Sequence, residues 1–187
     1  MGKANGQQQA EVADASVAVA TGQKRTFAQD LLELVVKAGI VAAAAFTLFT
    51  FVFGLYRVGD LSMMPALHDA DLVFFYRLDK HYTASQLAVF ENEGKLTCGR
   101  VVAVGGDEVN IDSRGLLVNG AYQQEPNITK DTTQVAGGVT FPLTVPAGSV
   151  FVLGDNRTGA IDSRIVGCIP TDDTLGMVVG IFRRRAF

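Results

Sequence analysis

The run from Ala38 to Tyr56 carries no charged residue, and it constrains the chain more than any other stretch. About 19 residues at 1.5 Å per residue span roughly 28 Å, close to the thickness of a bilayer core. Lys37 and Arg57 bracket it. A buried core helix is the alternative, but an unbroken charge-free run of this length reads as a membrane span. It begins too far from Met1, behind too long a charged lead-in, for a cleaved signal peptide. Phe46, Phe49, Phe51 and Phe53 suit lipid contact. Lys24, Arg25 and Lys37 precede the span, while Arg57 is the only nearby base after it. The excess of positive charge on the N-terminal side predicts a cytoplasmic N-terminus and an extracytoplasmic C-terminal part. Met1 to Gln23 is rich in Gln, Ala, Gly and Val without a sustained period, and reads as a disordered tail. The expected organisation is therefore a tail and basic lead-in over 1–37, a single helix over 38–56, and a domain over 57–187.

The chain has 187 residues, enough for one modest domain beside the anchor. A net charge of -3 argues against a nucleic-acid binder, whose footprint is basic. Two cysteines without a CxxC pair, and only His68 and His81 as histidines, argue against a zinc site or a thioredoxin-type motif. No metal and no cofactor are expected.

From Asp71 onward, short apolar runs alternate with turn residues. Strands are predicted over 72–76, 87–90, 100–104, 108–111, 116–118, 150–153 and 176–182. Gly105-Gly106-Asp107 and Ser113-Arg114-Gly115 are turn chemistry, and Asn119-Gly120 fits a type I′ hairpin. Only Thr83 to Leu87 hints at a short helix. The pattern predicts a mainly β, barrel-like domain. Gln123 to Pro142, rich in Thr and Gly, reads as a loop, with a lid or an inserted ribbon as alternatives. The closing Arg183-Arg184-Arg185 is either a solvated tail or a contact for anionic lipid headgroups.

Two stretches suggest chemistry. Asp60-Leu61-Ser62-Met63-Met64-Pro65 follows the apolar run almost directly and reads as an extended strand stopped by Pro65. Far downstream lies Gly154-Asp155-Asn156-Arg157-Thr158-Gly159-Ala160-Ile161-Asp162-Ser163-Arg164. Between them sits Gly99-Arg100-Val101-Val102-Ala103-Val104-Gly105-Gly106-Asp107. Together these segments resemble the motif set of type I signal peptidases, over roughly 41–182, with Gly167 and Pro170 also in place.

The resemblance implies a membrane-anchored serine endopeptidase at the outer face of the cytoplasmic membrane, with Ser62 as nucleophile. Its substrates would be exported preproteins, lying extended beside Asp60, Leu61 and Met63 by strand addition. It implies scaffold roles for Arg100, Asp107, Gly154, Asp155, Asn156, Arg157, Asp162, Ser163 and Arg164. Two departures fall on the chemistry. In the family a lysine, kept neutral by burial, takes the serine proton, and its position here is Gly99. A serine that helps hold that lysine is replaced by Ala160.

No other base is evident from the sequence. On a strand, Lys95 would lie about 13 Å from Gly99, and Asp60 roughly 7 Å from Ser62. A carboxylate at Asp60 could accept a proton but would repel a nearby oxyanion. Nothing locates His68 or His81 near Ser62. Two readings stay open: a peptidase, and a pseudo-peptidase that binds exported chains such as pilins without cutting them. The resemblance also leaves Cys98 and Cys168 as either a disulfide or two free thiols.

Overall fold

The structure is a computed structural model and describes residues 26–92, 94–126, 128 and 130–183. The expected disordered tail, Lys24, Arg25, Arg184 and Arg185 lie outside the described residues. The chain divides into two compact units, one ending at Ala45 and one beginning at Phe46.

The first helix, α1 (Phe27–Thr47), continues as a π-helical turn over Leu48–Val52. Phe27–Val52 is long and apolar enough to cross a membrane, and none of its most apolar window is buried. It starts eleven residues earlier than the charge-free run suggests. Charges enter its first turns as Asp30, Glu33 and Lys37, and Glu33 and Lys37 pair at 2.7 Å one turn apart. It also ends earlier. Phe53–Tyr56, expected within the helix, belong instead to strand β1 (Phe53–Arg57), whose side chains alternate between core and surface.

Further strands follow as β2 (Leu72–Tyr76), β3 (Leu87–Asn92), β4 (Lys95–Val104), β5 (Glu108–Asp112), β6 (Gly115–Val118), β7 (Ala121–Tyr122), β8 (Leu143–Thr144), β9 (Ser149–Leu153), β10 (Ile169–Pro170) and β11 (Thr174–Phe182). One short helix, α2 (Ser163–Val166), interrupts them. The strands form a seven-stranded sheet in the order β1-β2-β11-β3-β4-β9-β10 and a four-stranded sheet in the order β7-β6-β5-β8. All pairings are antiparallel. The fold is mainly β as expected. No closed barrel is seen among the described strands, because β1 and β10 remain edges of the larger sheet.

Local chemistry accounts for most of these elements. Asn119 and Gly120 both take positive φ, 52° and 77°, and join Val118 to Ala121 in a two-residue hairpin. Strand β9 is buried on both faces because it packs two ways. Val150 and Val152 join Tyr82, Ala88, Phe90 and Val101, while Phe151 and Leu153 join Val109, Ile111, Leu116 and Val145. A third core gathers Tyr56, Val58, Met63, Leu67, Val73, Phe75, Val89 and Cys98. Burying each large apolar side chain contributes about 1.5–3 kcal/mol, so these cores fix the loops above them.

Thr83 to Leu87 is not helical; it forms a turn that runs directly into β3. Glu125, Gln134 and Val139, all from the stretch expected to be a loop, bond back onto the domain, and Thr132 bonds to Glu125 within it. It is a strap, irregular in backbone but tied down.

Candidate active site

Ser62 sits on a loop between β1 and β2, and the base of that loop is pinned. Val58 N donates to Asp71 O and Ala70 N donates to Val58 O, each at 2.9 Å. Inside the loop the backbone turns twice, with Met64 N donating to Leu61 O and Leu67 N to Met63 O. The expected strand ending at Pro65 is therefore a turn. Met63 and Leu67 point down into the core formed with Tyr56, Val73 and Phe75 and anchor the loop. Met63 is 1% exposed, so it forms the floor beneath Ser62 and not an open wall of a groove, whereas Leu61 is 56% exposed.

The turn changes what Asp60 can reach. Asp60 Oδ1 accepts from Ser62 Oγ at 2.5 Å and from Ser62 N at 2.9 Å. The separation of roughly 7 Å expected on a strand does not apply. A strand holds residues two apart on one face, while a turn folds the first side chain back over the second residue.

The downstream motif grips this loop from the other side. Asn156 N donates to Ser62 O at 2.9 Å, and Asn156 Nδ2 donates to Leu61 O at 3.1 Å. Gly154 lies against Ser62 and Ala160. A Cβ on residue 154 would overlap the Ala160 methyl and stand 2.7 Å from Ser62 O, so only glycine fits there.

Behind this contact runs a chain of ion pairs. Asp155 is fully buried and takes both Nε and Nη2 of Arg100, at 2.8 and 2.6 Å. That planar, bidentate bond raises the Arg100 pKa further above its ordinary value. Asp162 caps α2 through Arg164 N, accepts from Gly154 N, and holds the Arg164 guanidinium by two further bonds. Ser163 Oγ accepts from Val152 N at 2.9 Å, which locks α2 to β9. Arg164 also donates to Arg157 O and Thr133 O.

Arg157 is buried, donates to Gly154 O, and is neutralised by Glu125 from the strap. Burial pulls the Arg157 pKa below its ordinary value, and Glu125 offsets only part of that. Glu125 escaped the sequence reading because nothing in a loop-like, Thr- and Gly-rich stretch marks a partner 32 residues away. Asp107 stands apart from this network. It accepts from Val104 N and Asn119 Nδ2 and so organises the turn into β5.

Gly99 lies on β4 between Val152 and Phe90. A Cβ at residue 99 would overlap Val152 Cγ1 and stand 3.4 Å from Phe90 Cε1. The position is apolar and already filled. Cys98 and Cys168 are both free and pack in different cores, so the disulfide does not form. Neither histidine lines the groove described next: His81 pairs with Asp79, and His68 lies at the surface 4.0 Å from Asp71.

Ser62 and Asp60 open into a groove of about 680 Å³. One wall is Leu55, Tyr56 and Arg57 of β1; the opposite wall is Lys95, Leu96 and Thr97 of β4; Gly159 and Ile161 close one side. Strand β1 pairs only with β2, and β4 pairs with β9 only from Arg100 onward. Both walls therefore present strand edges that have no partner among the described strands.

Residues 31–183 match the family described as signal peptidase, peptidase S26. The chain is 31% identical to a signal peptidase I of Bacillus licheniformis over 77% of this chain and 84% of the relative. It is 27% identical to a signal peptidase IB of Staphylococcus aureus over 80% and 88% of the two chains. A crystal structure of an Enterococcus faecalis signal peptidase I aligns with 52% of this chain and 96% of its own, at 28% identity and a TM-score of 0.43.

Proposed function

This chain belongs to the signal peptidase family, peptidase S26, and from that premise we propose that it binds exported preproteins as extended chains and cuts them at Ser62. The observation that carries this reading is the groove. Two strand edges, on β1 and β4, without a partner among the described strands, flank a slot that holds the Ser62 hydroxyl. An extended peptide entering it gains main-chain hydrogen bonds, and its alternate side chains meet the walls. Asp60 lines the groove beside the serine, Leu61 is exposed next to it, and Met63 supports it from below. The scaffold of Asn156, Asp155, Arg100 and Asp162 holds the loop in register with β4 and β9. Substrate enters from the membrane, to which α1 anchors the domain. We assign the N-terminus to the cytoplasm and the β domain to the outside, on the asymmetry of Lys24, Arg25 and Lys37 against Arg57.

A second reading rests on Gly99, Ala160 and Val152. The lysine position is not an empty slot awaiting an amine; Val152 fills it. The same groove then serves to hold exported chains, pilins included, without cutting. Incubating the full chain, in lipid vesicles, with a preprotein carrying Ala-x-Ala before the cut separates the two. Cleavage that disappears in Ser62→Ala supports the peptidase. Saturable binding without cleavage supports the holder, and no binding at all sinks both.

A further inference from the structure

Among the described residues, the Ser62 hydroxyl donates to one acceptor. Asp60 Oδ1 receives it at 2.5 Å, within the 2.5–2.7 Å expected for a hydroxyl bonded to a carboxylate. The same oxygen is fixed by Ser62 N, so the carboxylate is oriented by the backbone of the residue it would activate. We propose that Asp60 is the general base of this site, in place of the amine absent at Gly99. The proposal rests on the peptidase reading above.

The steps balance without any further group. Ser62 Oγ forms a bond to the scissile carbonyl carbon while its proton passes to Asp60 Oδ1, and the carbonyl π electrons move onto oxygen. The tetrahedral intermediate collapses, the C–N bond breaks, and the leaving amine takes the proton from Asp60. Water then attacks the acyl ester and gives a proton to Asp60. The ester C–O bond breaks, and Ser62 Oγ recovers that proton. Asp60 begins and ends as a carboxylate.

The objection to a carboxylate here is its repulsion of the oxyanion. Proton transfer removes that repulsion in the same step that creates the oxyanion, because Asp60 becomes a neutral acid when the negative charge reaches the carbonyl oxygen. Ser62 N, the amide that serves the oxyanion in serine hydrolases of the Ser-His-Asp type, is held by Asp60 in the resting site. Loss of the carboxylate charge weakens that bond and releases the amide to the oxyanion. Asp60 faces solvent and the groove, so attacking water has access to it. Lys95 also lines the groove and is the competing base.

The test uses the full chain in lipid vesicles, with a fluorophosphonate probe for Ser62 and an Ala-x-Ala preprotein for turnover and binding. Asp60→Asn keeps an oxygen that accepts from Ser62 N but removes the base. It should lower kcat and probe labelling by about 10²–10⁴-fold, the range set by a positioned general base, with KM and preprotein binding unchanged. Asp60→Glu should recover part of the loss. Ser62→Ala should abolish labelling in every background.

Retention of wild-type kcat by Asp60→Asn would make Asp60 a turn cap only and overturn the proposal. A loss that follows Lys95→Met and not Asp60→Asn overturns it in favour of an amine. A wild type that binds preprotein but neither labels nor cuts overturns it too, and leaves the holder. Labelling that depends on Asp60 without any preprotein binding keeps the base assignment and sinks the substrate reading instead.

Discussion

Val152 stands where a side chain on residue 99 would begin. Its Cγ1 overlaps the place of a Cβ on Gly99, and Phe90 closes the other side. Restoring an amine at this position therefore takes more than one substitution. Gly99→Lys alone overpacks β4 against β9 and should cost about 1–3 kcal/mol. Adding Val152→Ala opens the space, so the pair should be less destabilised than the sum of the singles. A double-mutant cycle by urea unfolding measures this, with a coupling of about 0.5–3 kcal/mol expected between touching residues. Strict additivity would show that Val152 is not what excludes a side chain there.

Glu125 and Arg157 form a pair that links the strap to the segment 154–164. Glu125→Ala strands a buried guanidinium and should cost about 3–5 kcal/mol. Glu125→Ala/Arg157→Met removes the stranded charge as well, and should cost less than Glu125→Ala alone. Thermal or urea unfolding of the three variants decides it. An Ala variant as stable as wild type would mean that water solvates Arg157 well enough to replace Glu125.

Asn156 holds the Ser62 loop through both its backbone and its side chain. Asn156→Ala deletes the bond from Nδ2 to Leu61 O, worth about 0.5–1.5 kcal/mol, and the exposed bond that Oδ1 accepts from Thr158 Oγ1. Leu61 O is exposed to solvent on release, so stability should fall little. Probe labelling of Ser62 should fall more than that stability change accounts for, since the loop loses one of its two ties. Equal labelling of the variant and wild type would remove Asn156 from loop positioning.

Burial, then the Asp155 charge, pushes the Cys98 thiol up to about 12, and burial, then the Asp60 charge, pushes the Tyr56 phenol to about 12. Both groups are neutral when protonated, and folding raises both above their ordinary values of 9.0 and 10.0. Their stabilising contribution is whole below about pH 9 and is lost as pH climbs from there through about 12. Urea unfolding from pH 8 to 12 should show the decline, and Cys98→Ala should make it shallower. At pH 8, Cys98 should resist thiol reagents until the protein unfolds, while the partly exposed Cys168 reacts first. Rapid native labelling of both thiols would contradict this.

Protease added outside intact cells should degrade the chain beyond Asp60 if the β domain faces outward. Protection until lysis, with cytoplasmic controls intact, would reverse the orientation assigned from Lys24, Arg25 and Lys37.

The sequence alone determined the longer strands from Leu72 onward, because alternation, apolar runs and turn residues act over a few neighbours; it did not mark β1 or the two-residue strands β7, β8 and β10. Asn119-Gly120 marks its hairpin by the φ values that only such residues accept readily. The motif set from Ser62 to Arg164 was legible for the same reason: its residue types and spacing are local. Tertiary structure decided what those residues do to one another. A turn in place of a strand brings Asp60 onto Ser62, and that depends on Met63 and Leu67 finding the core around Val73 and Phe75. The helix boundary at Val52 follows from the pairing of β1 with β2, which composition does not reveal, since Phe53–Tyr56 are as apolar as the helix before them. Glu125 meets Arg157, Val152 fills the space at Gly99, and Cys98 parts from Cys168 through packing between segments distant in sequence. Short-range chemistry names the elements, while long-range burial fixes which side chains meet.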